Sequence, residues 1–462
     1  MPLLLRRSTV FSALMASLVA IPLVPVASPA QADARCPHMG RIHVPGAQHQ
    51  VTACLDDLTT AGTVDSGHTD AADWQGLHSA ATRNPSGVPG IQVDGYFPDD
   101  STSNPTHGWN HDSQFVIRLP RRWNGGLVVA AAPGNRRQYA NDFTISDYVL
   151  AKGYAYASID KGNGGTEFYK DGRRPGDAYR EWYHRMTQVT VAAKATVARH
   201  YRKPLRRTYA AGISNGGQLV RWALENHPEL YDGGVDAEGT YWPPDNGPNA
   251  LVYLPVALRN YPKYAENGDP EAHAEMLRAG FAPGSEFLWE FNYRNIWDGT
   301  QRRAREELDP EYDGDLEAGI PFCESGTPNC DADYDYYARP KSVHKAVRRA
   351  SMSGRIGKPL ITVHGTLDTL LPIAVHGDPY AALVRKQGKA AQHRYYRMEG
   401  ASHLDIEYDM FPDRMRPLLP CMRTAFEALE RWTAPGHGHK PPRSATIPRQ
   451  TSGDVANTCS LS

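Results

Sequence analysis

A pentapeptide, Gly212-Ile213-Ser214-Asn215-Gly216, stands where an apolar run (Thr208–Ala211, TYAA) stops and a helix-patterned stretch, Asn215 to Asn226, begins. As a bare string it carries little weight, because a chain with this many Gly and Ser yields a chance G-x-S-x-G roughly 0.2 times. Its setting constrains the chain far more. A strand that reverses into a helix within one residue crowds the side chains flanking the turn, so Gly212 and Gly216 stand on either side. Ser214 is pushed out above the strand end. The helix behind it aims free N–H groups and a positive dipole end at whatever lies there.

Such a turn needs a sheet with helices behind it, and the rest of the chain supplies the pattern. Gly126–Ala132 (GLVVAAA) and Tyr154–Ile159 (YAYASI) are continuous apolar runs, with Ile145, Val149 and Leu150 on one helix face between them. Met186, Val189, Ala193 and Val197 recur at helical spacing. Further strands are expected at Gly90–Phe97, Gln114–Leu119, near Gly234–Asp236, at Leu360–Val363 and at His393–Met398, with helices around Tyr380–Val384 and at Met415–Trp432. Strands that are apolar throughout and alternate with helices predict a mostly parallel sheet covered on both faces, an α/β domain. Between residues 241 and 341, 16 of 101 residues are aromatic, against 44 of 462 overall. That stretch is too long for a plain connection. It reads as an aromatic-rich insertion that covers a ligand site, with Trp242, Trp289 and Trp297 as candidate pocket walls; a subdomain core of its own is the other use of those rings. The expected organisation is a leader at 1–34, a core in two parts at 35–238 and 351–432, the insertion at 239–350 as a lid, and a tail at 433–462.

The leader is expected from Arg6 and Arg7 followed by the apolar stretch Val10 to Ala27 and the small-residue run around Ala30-Gln31-Ala32. These are the parts of a secretory signal peptide, which predicts a secreted, extracellular protein with no membrane contact after cleavage. All six cysteines fall beyond it, and an even count in an exported chain predicts disulfides. Near neighbours close the shortest loops, so the expected pairs are Cys36 with Cys54, Cys323 with Cys330, and Cys421 with Cys459. No ligand spacing for zinc is present, so no metal is expected there. The runs Asp309, Asp313, Asp315 and Asp331, Asp333, Asp335 do not follow a calcium-loop spacing and read as solvated acidic loops. With 50 Lys+Arg against 51 Asp+Glu there is no basic footprint for a nucleic-acid partner.

A serine hydroxyl becomes a nucleophile when a base takes its proton, so a histidine and an acid must accompany Ser214. In a sheet of this kind they follow in the order Ser, acid, His, at later strand ends. Asp368 lies just past the strand Leu360–Val363, and His403 lies 35 residues on, just past Arg394–Met398. The expected triad is Ser214, Asp368 and His403, with His364 and His376 as reserve bases and Asp405 and Glu407 as reserve acids. The oxyanion donors are expected to be the N–H groups of Asn215, right after the serine, and of Asn135, in the loop after GLVVAAA. Attack on an ester carbonyl and hydrolysis of the acyl-enzyme need no cofactor.

Three segments carry a family resemblance. Ser214-Asn215-Gly216-Gly217 preceded by Arg207–Ala211, Trp123-Asn124-Gly125-Gly126 leading to Ala132-Pro133-Gly134, and His364-Gly365 through Asp368 to Pro372 with Pro379-Tyr380 behind resemble the tannase and feruloyl esterase clan of the α/β-hydrolases. The chain is most similar there to bacterial 3-hydroxybutyrate-oligomer hydrolases. The resemblance spans roughly residues 90–240 and 355–430, and it implies an α/β-hydrolase fold. It also implies a serine carboxylic-ester hydrolase acting on a small ester or oligoester made from a storage polyester. Tannase-type enzymes bridge nucleophile and base with cysteines just before the serine and just after the histidine. Here those positions are Ile213 and Leu404, which favours the oligomer-hydrolase branch over hydrolysis of aromatic plant esters. A catalytically inactive relative that binds polymer is the reading from a different class.

Overall fold

Among the described residues, ten strands form one sheet. In chain order they are β1 (His49–Leu55), β2 (Gly90–Tyr96), β3 (Gln114–Pro120), β4 (Gly126–Val129), β5 (Ala155–Ile159), β6 (Arg207–Ile213), β7 (Gly233–Ala237), β8 (Leu360–Gly365), β9 (His393–Met398) and β10 (Ala445–Ile447). The computed structural model describes Cys36, Met39 and residues 42–163, 173–312, 332–436 and 438–462. The expected leader at 1–34, the Cys323–Cys330 pair, and Asp313, Asp315 and Asp331 lie outside these residues.

The spatial order is β1-β2-β3-β5-β4-β6-β7-β8-β9-β10. β1, β2, β3 and β5 pair antiparallel, and every pairing from β5 across to β10 is parallel. The central strands are apolar throughout because both faces are covered. On β4, Leu127 and Val129 join one core cluster while Val128 joins the other, the alternation that a strand imposes on successive side chains. Helices Asp177–Tyr201 and Asn215–Asn226 cover the first face, and Asp147–Ala151 and Leu419–Trp432 cover the second. An α/β-hydrolase fold follows from this topology: a short antiparallel edge, a crossing from β3 past β4, and a parallel run with a strand-turn-helix reversal at its centre.

Between β7 and β8 the chain builds helices at Ala250–Asn267, Pro270–Arg278, Asp298–Leu308 and Lys341–Ala350. Their buried rings belong to the same core cluster as helix Asp177–Tyr201, so among the described residues this segment packs as part of the main core. Asp309 departs from the solvated loop expected of it. It is 3 % exposed, and its Oδ2 accepts from Arg339 Nε (2.5 Å) and Tyr334 Oη (3.0 Å), because a buried carboxylate needs a cation or donors around it. The last long helix begins at Leu419, later than its apolar pattern suggests. Pro417 interrupts the approach, and the Asp405 carboxylate accepts the N–H groups of Leu418 (2.6 Å) and Leu419 (2.9 Å).

Cys36 is bonded to Cys54 and Cys421 to Cys459. The second bond fastens the C-terminal segment, including β10, to helix Leu419–Trp432. It closes a loop of 38 residues, and chain-entropy arguments give such a link about 2–4 kcal/mol. Replacing Cys459 with Ser is expected to lower unfolding stability by about that much, read as a shift in the denaturant midpoint. An unchanged midpoint would remove the structural role given to the bond.

Candidate active site

Parallel strands bring their carboxyl ends to one edge, and the residues following β4, β6, β7, β8 and β9 gather there. Ser214 follows β6 directly. Its backbone sits at φ 59°, ψ −123°, a left-handed region rarely used outside glycine, and its N–H donates to the Ala237 carbonyl (2.9 Å). Glycines make the reversal possible. A Cβ on Gly212 would run into the Gly216 carbonyl, one on Gly216 would stand 2.6 Å from the Ala131 oxygen, and one on Gly217 would strike the Asp236 carboxylate. Asp236, on β7 and buried, ties the helix to the sheet. It accepts from Arg221 Nε (2.6 Å), Thr362 Oγ1 (3.0 Å) and the Gly239 N–H (2.8 Å).

Asp368 lies in the loop after β8 and His403 in the loop after β9. His403 Nδ1 is 2.9 Å from Asp368 Oδ2. The other oxygen, Oδ1, accepts the N–H groups of Leu370 (2.9 Å) and Leu371 (2.6 Å). Burial works to raise the Asp368 carboxyl, but His403 and His364 overcome it and hold the group well below the usual carboxylate range. An imidazole paired this way keeps its proton on Nδ1 and leaves Nε2 as the basic nitrogen. Among the described residues, Glu238, Asp368 and His403 form the one group whose ligand-type atoms lie within 4.8 Å of one another. The Nδ1–Oδ2 separation within it is that of a charge-assisted hydrogen bond, so a proton is assigned there.

Ser214 opens onto a cavity of about 100 Å³ shared with Asn215, Gly134, Asn135, Thr240 and Leu371. Its walls are Tyr179 and Trp182, from helix Asp177–Tyr201, and Trp242, Ala250, Thr300, Arg303 and Ala304, from the segment between β7 and β8. Trp242 thus stands where expected. Trp289 and Trp297 do not: both are buried away from the cavity, with indole N–H groups donating to Ser285 Oγ (3.0 Å) and the Thr369 carbonyl (2.8 Å). The helices between β7 and β8 need large rings to fill their contact with the core, and these two are used there. Three of the reserve groups have other partners, while His364 lies 3.3 Å from Asp368 Oδ2. His376 accepts from the Tyr241 N–H and contacts Tyr253 Oη, Asp405 caps a helix, and Glu407 accepts from Ser402 and Asn292.

Two residues at this edge escaped the sequence reading. Glu238 follows β7 as Ser214 follows β6, so the rule that located Asp368 and His403 by strand ends would have found it. Lys161, just after β5, is fully buried, and its Nζ donates to the carbonyls of Ala132 (2.6 Å) and Gly134 (2.5 Å) while lying 4.6 Å over the Trp182 ring. It holds the loop that carries Asn135. Burial pulls its ammonium down to about 7, below its value in the unfolded chain. Between that pH and about 10.4 the unfolded state binds the extra proton, so this group makes stability rise with pH. The stability of the wild type relative to Lys161→Met is expected to increase between pH 7 and pH 10, measured by denaturant unfolding; a flat difference would contradict the burial of a charge-bearing amine.

Residues 295–462 match the family model described as 3HB-oligomer hydrolase, and residues 141–243 match that of the prolyl oligopeptidase family. A D-(-)-3-hydroxybutyrate oligomer hydrolase of Polaromonas naphthalenivorans is 33 % identical over 129 residues, covering 26 % of this chain and 17 % of the relative. A mono(2-hydroxyethyl) terephthalate hydrolase of Piscinibacter sakaiensis is 28 % identical over 153 residues, covering 30 % of this chain and 25 % of the relative. Each match therefore spans a quarter or less of the relative's own length. Among solved structures, feruloyl esterase B from Aspergillus oryzae is similar at a TM-score of 0.49 with 12 % identity, over 80 % of this chain and 83 % of that one. The chain is an α/β-hydrolase-fold protein whose C-terminal part is similar to 3HB-oligomer hydrolases.

Proposed function

We propose that this chain is a serine carboxylic-ester hydrolase that works through an acyl-enzyme, with 3-hydroxybutyrate oligomers or related short polyester fragments as substrate. The observation that carries the reading is the convergence on one sheet edge of an elbow serine, Ser214, and a buried Asp368–His403 pair. His403 Nε2 takes the Ser214 proton as Oγ attacks the ester carbonyl. Asp368 steadies the imidazolium that forms. The N–H groups of Asn215, at the start of a 12-residue helix, and of Asn135 receive the developing oxyanion. His403 then returns the proton to the leaving alcohol, and water repeats the sequence to release the acid.

The substrate class is supported by the family match over residues 295–462 and by the oligomer hydrolase among the relatives. The segment at 239–350 supplies six of the residues that line the cavity, which favours its role as a lid. Secretion, with cleavage after the leader, completes the reading, since the two disulfides need an oxidising compartment. Hydrolysis of aromatic esters is the second reading, favoured by Tyr179, Trp182 and Trp242 in the cavity wall and by the terephthalate monoester hydrolase among the relatives.

The test is product analysis by chromatography after incubation with 3-hydroxybutyrate trimer, mono(2-hydroxyethyl) terephthalate and a simple aryl ester. Release of monomer and dimer from the trimer supports the polyester reading. Turnover of the aromatic esters alone transfers it to the second. Ser214→Ala is expected to fold normally and lose at least about 10⁴-fold in kcat/KM. Absence of turnover on every ester, together with no labelling of Ser214 by a fluorophosphonate, would leave a polymer-binding relative.

A further inference from the structure

Glu238 sits where β7 ends, beside the end of β8. Ala237 is in register with Val363, and the Glu238 N–H continues the ladder by donating to the Val363 carbonyl (2.9 Å). Its backbone is then left-handed, with φ 52°, a conformation that costs a residue with a Cβ and persists where the surroundings impose it. The side chain is completely buried. Oε1 accepts the Gly365 N–H (2.9 Å), and a Cβ at Gly365 would stand 2.8 Å from that oxygen, so the carboxyl occupies space that any larger residue would take. Oε2 has no hydrogen-bond partner. It lies 3.5 Å from His403 Nδ1, the nitrogen that is 2.9 Å from Asp368 Oδ2.

Two carboxyl groups therefore converge on one ring nitrogen, from the ends of adjacent parallel strands. The groups around them are unequal. Asp368 has two backbone N–H donors, His403, and His364 Nε2 at 3.3 Å. Glu238 has one backbone donor and faces the carboxyls of Asp368, Asp405 and Glu407. Burial and these acids, Asp368 foremost, push the Glu238 carboxyl well above its ordinary value. These surroundings favour the charge on Asp368 and the proton on Glu238. Environments that drive two neighbouring carboxyls apart in this way assign them different roles.

We propose that Glu238 is a second acid for His403, a positioning residue held in reserve beside Asp368 that takes over Nδ1 when a neutral side chain replaces the Asp368 carboxylate. The inference rests on the ester-hydrolase reading of Ser214 and His403. With the Asp368 charge removed, the strongest neighbouring repulsion on Glu238 is gone. Its Oε2–H bond breaks and the proton leaves to solvent. A shift of about half an ångström then brings Oε2 within hydrogen-bond distance of Nδ1–H. The ring keeps the tautomer with Nε2 free. No other bond forms or breaks.

The experiment compares wild type, Asp368→Asn, Glu238→Gln and the double variant by two readouts: kcat/KM on the best ester, and the downfield proton resonance of His403 Nδ1–H. Glu238→Gln alone is expected to cost less than about threefold, because it replaces one neutral group with another. Asp368→Asn is expected to lose about a hundredfold, against the roughly 10⁴-fold typical where no second acid stands by. The double variant is expected to lose about a further hundredfold, all in kcat, a coupling that independent sites do not show. The Nδ1–H resonance should survive in Asp368→Asn and vanish in the double variant. An equal Glu238→Gln effect in both backgrounds, or loss of the resonance in Asp368→Asn, overturns the proposal. If the wild type turns over no ester, the functional reading fails, and the resonance alone decides this one. Should the Gln double variant fail to fold, Glu238→Met replaces the carboxyl with an apolar chain of similar size, and the same outcomes apply.

Discussion

The tightest constraint in this molecule is the approach of helix Asn215–Asn226 to the sheet. At Gly216 the backbone passes so close to the Ala131 carbonyl that a single added carbon would stand 2.6 Å from it, and at Gly217 the Asp236 carboxylate takes the same space. That proximity seats the helix start beside the loop after β4, which brings Asn215, Asn135 and Ser214 to one cavity. It is held by an ion pair in the interior, Arg221 to Asp236 at 2.6 Å with neither side chain exposed. Removing one partner of such a pair leaves a buried charge alone. The Thr362 hydroxyl and the Gly239 N–H complete the shell around Asp236, so the same carboxylate joins β7, β8 and the helix.

Buried ionisable groups concentrate along the edge above this contact. Lys161 is stripped of water and serves two carbonyls, Asp368 is saturated with donors, and Glu238 is left short of them. Each is positioned by backbone groups of loops that follow strands, and loops fixed to a rigid sheet are where an otherwise close-packed fold can place polar side chains. The cavity wall beside them carries the rings of Tyr179, Trp182 and Trp242 together with Arg303.

Much of this was legible in the sequence because the responsible signals are local. A covered parallel strand is a continuous apolar run, and β4, β5, β6 and β8 are such runs. The glycine spacing around Ser214 reports a steric requirement within five residues. β1 and β10 were not legible. The first is an edge strand with one buried side chain and the rest half-buried or exposed, and the second is three residues long, so neither needs an apolar pattern. Trp289 and Trp297 show the opposite failure: aromatic density marks a demand for large side chains without saying whether a cavity or a core makes it. Lys161 carries no local signature, since its carbonyl partners lie 29 and 27 residues away in the chain, and Glu238 shows only its place at a strand end, its donor lying 127 residues on.

The C-terminal segment has a further consequence. β10 pairs with β9, the Glu399 N–H donates to the Ile447 carbonyl, and Arg416 reaches the Gly400 and Pro448 carbonyls and both sulfurs of the Cys421–Cys459 bond. These contacts brace the bend that presents His403. The bend therefore leans on residues 445–459, which follow it in the chain. The turn at Ser214 is built from residues more than two hundred positions earlier, so the two sides of this edge are braced by widely separated parts of the chain.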